Sequence, residues 1–197
     1  SSRRQRQMCI RDSAKLLRFT TTQSDGDEPT VSLAEYVERM KEGQTLIYYI
    51  TADSLATARN SPHLEIFSKK GIEVLLLTDD VDEWVVSHLT EFDGKELRSV
   101  SKGDLDLGEV SDEGEDTKAD TSSEAAEAEE RFKSLIEGIA GTLGERIKEV
   151  RISKRLTDSP ACLVADANEL GGHMERILKA AGQEVGTSKP ILEINPE

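Results

Sequence analysis

The side chains that could carry chemistry are few, and they include a pair of aspartates, three histidines and two cysteines. Asp79 and Asp80 follow an apolar run at the predicted end of a strand, where paired carboxylates could hold a metal ion. Their position favours a helix cap instead. The histidines and cysteines have neither zinc-ligand spacing nor a nucleophile–base arrangement. The residues by themselves therefore predict no catalytic site.

The turn after the first long predicted strand lacks the pattern of a phosphate-binding loop. It reads Thr51-Ala-Asp-Ser-Leu55, with neither GxGxxG nor GxxxxGK[ST]. A small α/β nucleotide- or metal-binding enzyme domain that uses Asp79 and Asp80 stays open as an alternative function. Binding of ATP or Mg²⁺ by this chain would favour that alternative.

The elements that would position these residues alternate between strands and helices over residues 44–100. Ser32 and Glu35 form a capping box, which predicts a helix with Leu33 and Tyr36 on its apolar face. Ser61-Pro62 predicts a second helix start, and a third helix opens at residue 80 and carries Trp84. Short apolar runs predict strands at residues 46–51, 72–77 and 95–100. This βαβαβ order is typical of a small parallel or mixed sheet with helices packed against it.

Composition excludes several classes of partner. The formal charge of −14 argues against nucleic acid and anionic membranes, because their phosphates attract basic surfaces. No apolar run approaches the roughly 20 residues that a membrane-spanning helix needs. Two cysteines, Cys9 and Cys162, are too few for a disulfide framework, so a reducing cytoplasm is the expected location.

Changes in composition along the chain predict four segments. Residues 1–13 hold four arginines and one aspartate ahead of an acidic chain, and we interpret them as a non-native or artefactual leader. A first domain is predicted at residues 14–102. Residues 103–122 are predicted to be an acidic linker, because acidic residues dominate there and little apolar surface could form a core. A second domain follows at residues 123–197.

The second domain combines an amphipathic helix with short strands. Phe132, Leu135, Ile136, Ile139 and Leu143 have the spacing of one helical face. Strands are predicted at residues 147–153, 161–165 and 191–194. A further helix at residues 167–181 would place the following side chains on a single face: Leu170, Met174, Ile177, Leu178 and Ala181.

Two apolar features could either pack in a core or face a partner. Spacing alone favours core packing both for Trp84 and for the Met174 face of the helix at 167–181, since exposed apolar patches are uncommon on monomeric domains. Gly171-Gly172 lies inside that helix and weakens its first turn by about 1 kcal/mol per glycine relative to alanine. A purely structural spacer, with every apolar face internal, is a further hypothesis.

Long stretches of the chain are similar to one family of proteins. They read SLAEYVERMKEGQTLIYYITADS, SPHLEIFSKKGIEVLLLTDDVDEW, LTEFDGKELRSVSKGDLDL, RLTDSPACLV and LEINPE. In this order they resemble heat-shock protein 90 chaperones, of the bacterial HtpG type, over residues 14–197. The resemblance implies an α/β and α+β fold. In it, the small βαβαβ end of a middle domain is joined by the acidic linker to a C-terminal domain that lacks its last helices.

The resemblance also implies what the parent protein does. It would be an ATP-driven homodimer, requiring ATP and Mg²⁺, that binds unfolded or partly folded client proteins and assists their folding. The ATPase residues and the last dimerisation helices would lie outside this chain, which is therefore expected to be monomeric, without catalytic residues or a cofactor of its own. The client-contacting residues implied are these: Glu83, Trp84, Ser87, Leu170, Met174, Ile177 and Leu178.

Overall fold

The computed structural model describes residues 12–104, 107, 121–167, 172–183 and 188–195. Leu170, Gly171, most of the predicted acidic linker and most of the predicted leader lie outside these residues. The chain divides into two compact units. Among the described residues, the first unit holds residues 12–100 and 107, and the second holds residues 101–104 and the rest.

The first unit is built on a mixed sheet. Its strands lie in the order β1-β3-β2-β5-β4, with β2 parallel to both β3 and β5, and with β1 and β4 antiparallel at the edges. The predicted strand–helix alternation is present, and the strand predicted at residues 72–77 lies inside the sheet over a shorter length. The elements, in chain order, are β1 (Thr20–Thr21), α1 (Leu33–Glu38), β2 (Leu46–Thr51), α2 (Leu55–Arg59), a 3₁₀ turn (Pro62–Leu64), α3 (Glu65–Lys69), β3 (Leu75–Leu77), α4 (Asp82–His88), β4 (Glu91–Phe92) and β5 (Lys95–Ser99).

Local signals in the sequence fix several element ends. The Ser32 hydroxyl accepts a hydrogen bond from the Glu35 amide at 3.2 Å, and the Glu35 carboxylate accepts one from the Ser32 amide at 2.8 Å. The predicted capping box is therefore confirmed. Asp93 and Gly94 both have positive φ, 49° and 74°, and form the two-residue turn between β4 and β5. Asp-Gly is favoured in such hairpins because both positions need a left-handed backbone.

A buried polar network ties α1 to the sheet. The Tyr36 hydroxyl donates to the Glu73 carbonyl oxygen at 2.6 Å and accepts from the Tyr48 amide at 3.1 Å. The buried Glu73 carboxylate accepts from Arg39 Nη2 at 2.8 Å and from the Thr21 hydroxyl at 2.6 Å. The first helix is thus held by polar contacts as well as by the apolar core.

The tyrosines make the first unit sensitive to alkali. Burial raises the pKa of Tyr36 strongly, and burial together with the nearby Glu83 charge raises the pKa of Tyr49 to about 12. Because the unfolded chain releases these protons near pH 10, the stability is fully present below pH 10 and falls as the pH rises towards 12. We expect a loss of about 1.4 kcal/mol per pH unit for each tyrosine, measured by urea unfolding followed by circular dichroism.

Tyr49→Phe provides the control for this alkaline effect. It removes one of the two titrating groups, so the slope of stability against pH above pH 10 should become shallower. An unchanged urea midpoint between pH 9 and pH 11 in the native chain would contradict the prediction.

The second unit contains a smaller mixed sheet. Its strand order is β6-β8-β7, with β8 parallel to β6 and antiparallel to β7. The strands predicted from sequence are confirmed at slightly shorter lengths. The elements are α5 (Thr121–Leu143), a 3₁₀ turn (Gly144–Arg146), β6 (Glu149–Ile152), β7 (Ala161–Val164), α6 (Gly172–Ala180) and β8 (Ile191–Ile194).

Helix α5 packs through one apolar stripe on one face of this sheet. Ile136, Ile139 and Leu143 contact the cluster formed by Val150 and Ile194. Leu135, predicted on the same stripe, is instead 48% exposed. It lies about 100° round the helix from Ile136, because each residue turns the helix by that angle, and so it falls outside the stripe.

The opposite face of the smaller sheet carries a second cluster. Leu156, Cys162, Val164 and Ile191 pack together there. Cys162 is buried as a small apolar residue, as its place in the apolar run ACLV indicated. The unit therefore packs apolar side chains against both faces of β8, the central strand of its sheet.

Candidate functional site

The clearest exposed apolar surface of the first unit lies at the start of α4. Val81 is 62% exposed and Trp84 is 51% exposed, three residues apart on one side of the helix. We call these two side chains the Trp84 surface. Spacing alone predicted that Trp84 packs in the core, and this prediction is wrong. The helix packs inward through the side chains of Val85, Val86 and Leu89 instead.

Side chains in the last turn of α4 contact the backbone that carries the Trp84 surface. The Ser87 hydroxyl donates to the Trp84 carbonyl oxygen at 2.8 Å, and His88 Nδ1 lies 2.8 Å from the same oxygen. Ser87 is exposed, beside Trp84 along the helix. A large aromatic side chain is thus presented to solvent from a helix whose last turn is anchored.

Glu83 lies beneath this surface rather than on it. Its side chain is only 5% exposed, although the resemblance places it among the client-contacting residues. In the part of the chain that the structure describes, no hydrogen-bond donor reaches its Oε1 atom. Its charge contributes, after burial, to the raised pKa of Tyr49. Glu83 is therefore placed to influence the packing of α4 on β2.

Acidic side chains border the Trp84 surface. Asp79 and Asp80 are exposed, and Asp82 is half-buried, with its carboxyl pKa raised by burial. The predicted cap by Asp79 or Asp80 is wrong, because Val81 occupies the cap position and makes no side-chain cap. The Asp82 carboxylate instead accepts from the Asp79 amide at 3.0 Å. Among the described residues, no group of three potential ligands is arranged to hold a metal ion.

The turn after β2 does not fit a nucleotide phosphate. Helix α2 spans only Leu55–Arg59, and the Ser54 hydroxyl accepts from the Thr57 amide at 3.2 Å. The Ser54 and Thr57 hydroxyls also bond to each other at 2.9 Å. Because its own side chains cap this helix, no glycine-rich cradle of free amides is offered there. ATP and Mg²⁺ therefore have no matching residues at this turn.

The second set of predicted site residues lies on α6. Met174 is 7% exposed, and Ile177 and Leu178 are half-buried. Leu170 is outside the described residues. Glu175 on the same helix accepts a hydrogen bond from the Ser188 hydroxyl and lies 3.9 Å from Lys179. Met174 is thus part of the interior, whereas Ile177 and Leu178 keep part of their apolar side chains exposed.

Comparison with known proteins decides the family. The sequence profile described as "Hsp90 protein" matches residues 7–197 of the chain. The chain belongs to the Hsp90 family. The resemblance predicted from the quoted motifs is thereby confirmed.

Several curated relatives of this Hsp90 chain come from bacteria. Proteins named "Chaperone protein HtpG" from Aromatoleum aromaticum and Chromobacterium violaceum are each 60% identical to it over 184 residues, which is 93% of the chain. The protein of the same name from Dechloromonas aromatica is 57% identical over 184 residues. The chain spans only 28% of the length of these relatives.

Two further observations concern the limits of this Hsp90 chain. The family match begins at residue 7, within the segment that composition predicted to be non-native. Ala14, just after that segment, is buried in the core of the first unit.

Within the described ranges, no helix is both long and apolar enough to cross a membrane.

Sequence reasoning missed Val81 and a buried ion network in the second unit. Val81 could have been found, because it precedes Trp84 by three residues at a helix start. The network joins Glu193 to Arg151 and Arg155. Glu193 within the apolar run ILEI could have indicated this network, because a charged side chain in a buried strand requires partners. The partners themselves could not be read from the sequence.

Proposed function

We propose that this Hsp90 chain is the client-binding and domain-coupling part of an ATP-dependent chaperone of the HtpG type. Its clients would be unfolded or partly folded proteins. The observation that carries the proposal is the exposed Trp84 surface, with Asp79 and Asp80 beside it. An exposed tryptophan beside an exposed valine supports the proposal, because aromatic side chains are enriched among the residues that dominate protein-binding surfaces.

The chemistry of the Trp84 surface selects a class of partner. Trp84 and Val81 offer apolar contact area that an unfolded chain can cover with its own apolar side chains. The neighbouring aspartates attract basic residues and repel acidic ones. Segments that combine apolar and basic residues are therefore the favoured clients.

The second unit would add a smaller contact. Ile177 and Leu178 are half-buried on α6 and can contribute apolar area without unfolding the helix. Met174, being buried, would contribute only if α6 shifted. Gly172 begins this helix, and glycine in a first turn lowers the cost of such a shift.

The remaining functions belong to the parent protein in this proposal. ATP and Mg²⁺ would bind outside this chain, as the resemblance to Hsp90 chaperones implies. Hydrolysis there would change the affinity of the client surface, in a homodimer located in the cytoplasm. This chain alone would act as a monomer that binds clients without hydrolysing ATP.

Replacing Trp84 tests the proposal. We expect Trp84→Ser to weaken binding of a reduced, carbamidomethylated and labelled model protein by about 30-fold, because a central tryptophan typically contributes about 2 kcal/mol. Fluorescence anisotropy of the labelled protein measures this affinity. Circular dichroism should show an unchanged fold, since the Trp84 side chain packs little.

Leu135→Ser is the matched control. Leu135 is an apolar side chain of similar exposure, on the outer side of α5, and has no proposed role. Its replacement should leave the affinity within about twofold. Equal losses in both variants would indicate nonspecific apolar adhesion, and no loss in Trp84→Ser would remove the Trp84 surface from the proposal.

A further inference from the structure

Residues 101–104 lie beside Ala165, just beyond the end of β7. Lys102 pairs with Ala165 in a parallel bridge. The Gly103 amide donates to the Ala165 carbonyl oxygen at 2.8 Å, and the Ala165 amide donates to the Ser101 carbonyl oxygen at 3.1 Å. The segment predicted to begin a solvated linker at residue 103 is therefore attached to the second unit at its first two residues.

Two arginines hold this segment from the side. Arg155 Nη2 donates to the Gly103 carbonyl oxygen at 2.8 Å, and Arg151 Nη2 donates to the same oxygen at 3.3 Å. Arg151 Nη1 also pairs with the Asp104 carboxylate at 2.5 Å. The two guanidinium groups thus form a clamp around Gly103.

Glu193 fixes both arginines in the clamp. Its Oε1 atom accepts from Arg151 Nη2 at 2.7 Å, and its Oε2 atom accepts from Arg155 Nε at 2.8 Å. Arg155 and Glu193 are almost completely buried. The two arginines are thus held by one carboxylate of β8 as well as by the segment that they contact.

Gly103 is suited to this position for two reasons. Its φ is +61°, in the region that favours glycine, and a Cβ atom there would lie 3.0 Å from the Ala167 Cβ. A side chain would therefore strain the backbone and crowd Ala167 at once. Closing the segment in this form would therefore cost more free energy with another residue at 103.

The segment itself buries almost nothing apolar. Its sequence is Ser-Lys-Gly-Asp, and the Asp104 side chain is 89% exposed. Opening would replace a few hydrogen bonds by bonds to water and would expose little apolar surface. Such a segment can open locally at a lower free energy than the sheet beside it.

We propose that residues 101–104 form a latch that opens and closes on the second unit while its sheet stays folded. An open latch would release residues 101–104 and expose the backbone of Ala165 beyond the end of β7, while the strands beside it keep their own hydrogen bonds.

Amide hydrogen exchange of the full 197-residue chain tests the latch, using Gly103→Ala. The strain should raise exchange of the Ala165 amide by about tenfold, because only opening relieves it. The amides of Lys148, Ser153 and Asn195, which bond within and beside the sheet, should be unaffected. A parallel rise at all four amides, or none at Ala165, would overturn the proposal.

Gly144→Ala is the matched control for backbone strain. Gly144 also has positive φ, +54°, and has no neighbour within 4 Å of an added Cβ. It lies in the second unit but outside the latch, so the Ala165 amide should keep its native exchange rate. If Gly144→Ala raises Ala165 exchange as much as Gly103→Ala does, the effect is global and the latch is refuted.

Salt provides an independent test of the clamp. Raising NaCl from about 0.05 to about 0.5 M screens the exposed Asp104 charge and should speed Ala165 exchange a few-fold in the native chain. In Asp104→Asn, exchange should already be fast and should no longer respond to salt. Absence of the salt response in the native chain, or its persistence in the variant, would overturn the ion-pair part of the clamp.

Discussion

The Glu193→Gln variant is expected to lose most of the stability of the second unit while the first unit stays folded. In the native chain this carboxylate accepts hydrogen bonds from Arg151, from Arg155 and from the Ser153 hydroxyl, the last at 2.9 Å. Glutamine has a single acceptor oxygen, and its amide group would face guanidinium donors. Both arginines would then lose the buried carboxylate that they share, and Arg151 would keep only its ion pairs with the exposed Asp104 and Glu149 side chains among those described.

The expected loss is large compared with the stability of a small unit. Removing one partner of a buried ion pair costs about 3–5 kcal/mol, because the other charge remains buried. A unit of this size has about 5–10 kcal/mol in total. Most of the second unit should therefore unfold at low urea concentration.

Two spectroscopic signals can separate the units. The chain has a single tryptophan, Trp84, which lies in the first unit, whereas circular dichroism reports both units. In Glu193→Gln, urea unfolding followed by circular dichroism should begin earlier, and the transition followed by Trp84 emission should keep its native midpoint. If both transitions move together, the units unfold as one and the prediction fails.

Glu149→Gln is the matched control for this variant. It changes the same functional group on the neighbouring strand, where Glu149 is half-exposed and lies 3.8 Å from Arg151. Exposed ion pairs contribute about 0–1 kcal/mol, so this substitution should hardly move either transition. A shift as large as that of Glu193→Gln would mean that total charge, rather than the buried network, sets the stability.

Much of the fold could be predicted because its signals are local. Ser32 and Glu35 are three residues apart, and Asp93-Gly94 is a dipeptide with one strongly favoured turn. The apolar runs of β2 and β8 contain their own strand signal. Each of these patterns is decided by neighbours in the chain, so a single sequence suffices to read it.

The orientation of α4 could not be predicted in the same way. Val81 with Trp84, and Val85 with Leu89, each have the spacing of a helical face. Which pair faces the sheet depends on how β2 and β5 present their side chains, and that depends on contacts distant in sequence. The rarity of exposed apolar patches favoured a buried Trp84, whereas the structure packs Val85 and Leu89 against the core.

The contacts between the latch and its clamp could not be predicted from the sequence for a related reason. Gly103 and Arg155 are separated by 52 positions, and Arg155 and Glu193 by 38. The acidic composition after residue 103 predicted a solvated linker from its first residue. Composition averages over a window, and so it could not separate two attached residues from the stretch that follows.

The Tyr36→Phe variant is expected to lower the stability of the first unit. That stability depends on a buried polar group, as the stability of the second unit depends on Glu193. Tyr36 was predicted on the apolar face of α1, and its ring is buried there. Its hydroxyl, however, joins three parts of the unit: it donates to the Glu73 carbonyl oxygen and accepts from the Tyr48 amide and from Gln44 Nε2, the last at 3.2 Å. Phenylalanine would fill the same space and make none of these bonds.

The cost of Tyr36→Phe follows from what the partners lose. Each buried polar group deprived of a hydrogen bond costs about 1–3 kcal/mol, so we expect a loss of about 3 kcal/mol. Gln44 Nε2 keeps its bond to the Leu46 carbonyl oxygen at 2.8 Å, which limits the loss to the other two partners. Urea unfolding followed by Trp84 emission measures this change directly in the first unit.

Tyr49→Phe distinguishes the hydroxyl network from a general effect of losing a phenol. Tyr49 neighbours Tyr48 on β2 and is half-buried, and within the described residues its hydroxyl takes no part in the Tyr36 network. Its replacement at pH 7 should cost less than about 1 kcal/mol. If the two substitutions cost the same, the Tyr36 hydroxyl adds nothing specific, and α1 is held on the sheet by apolar packing alone.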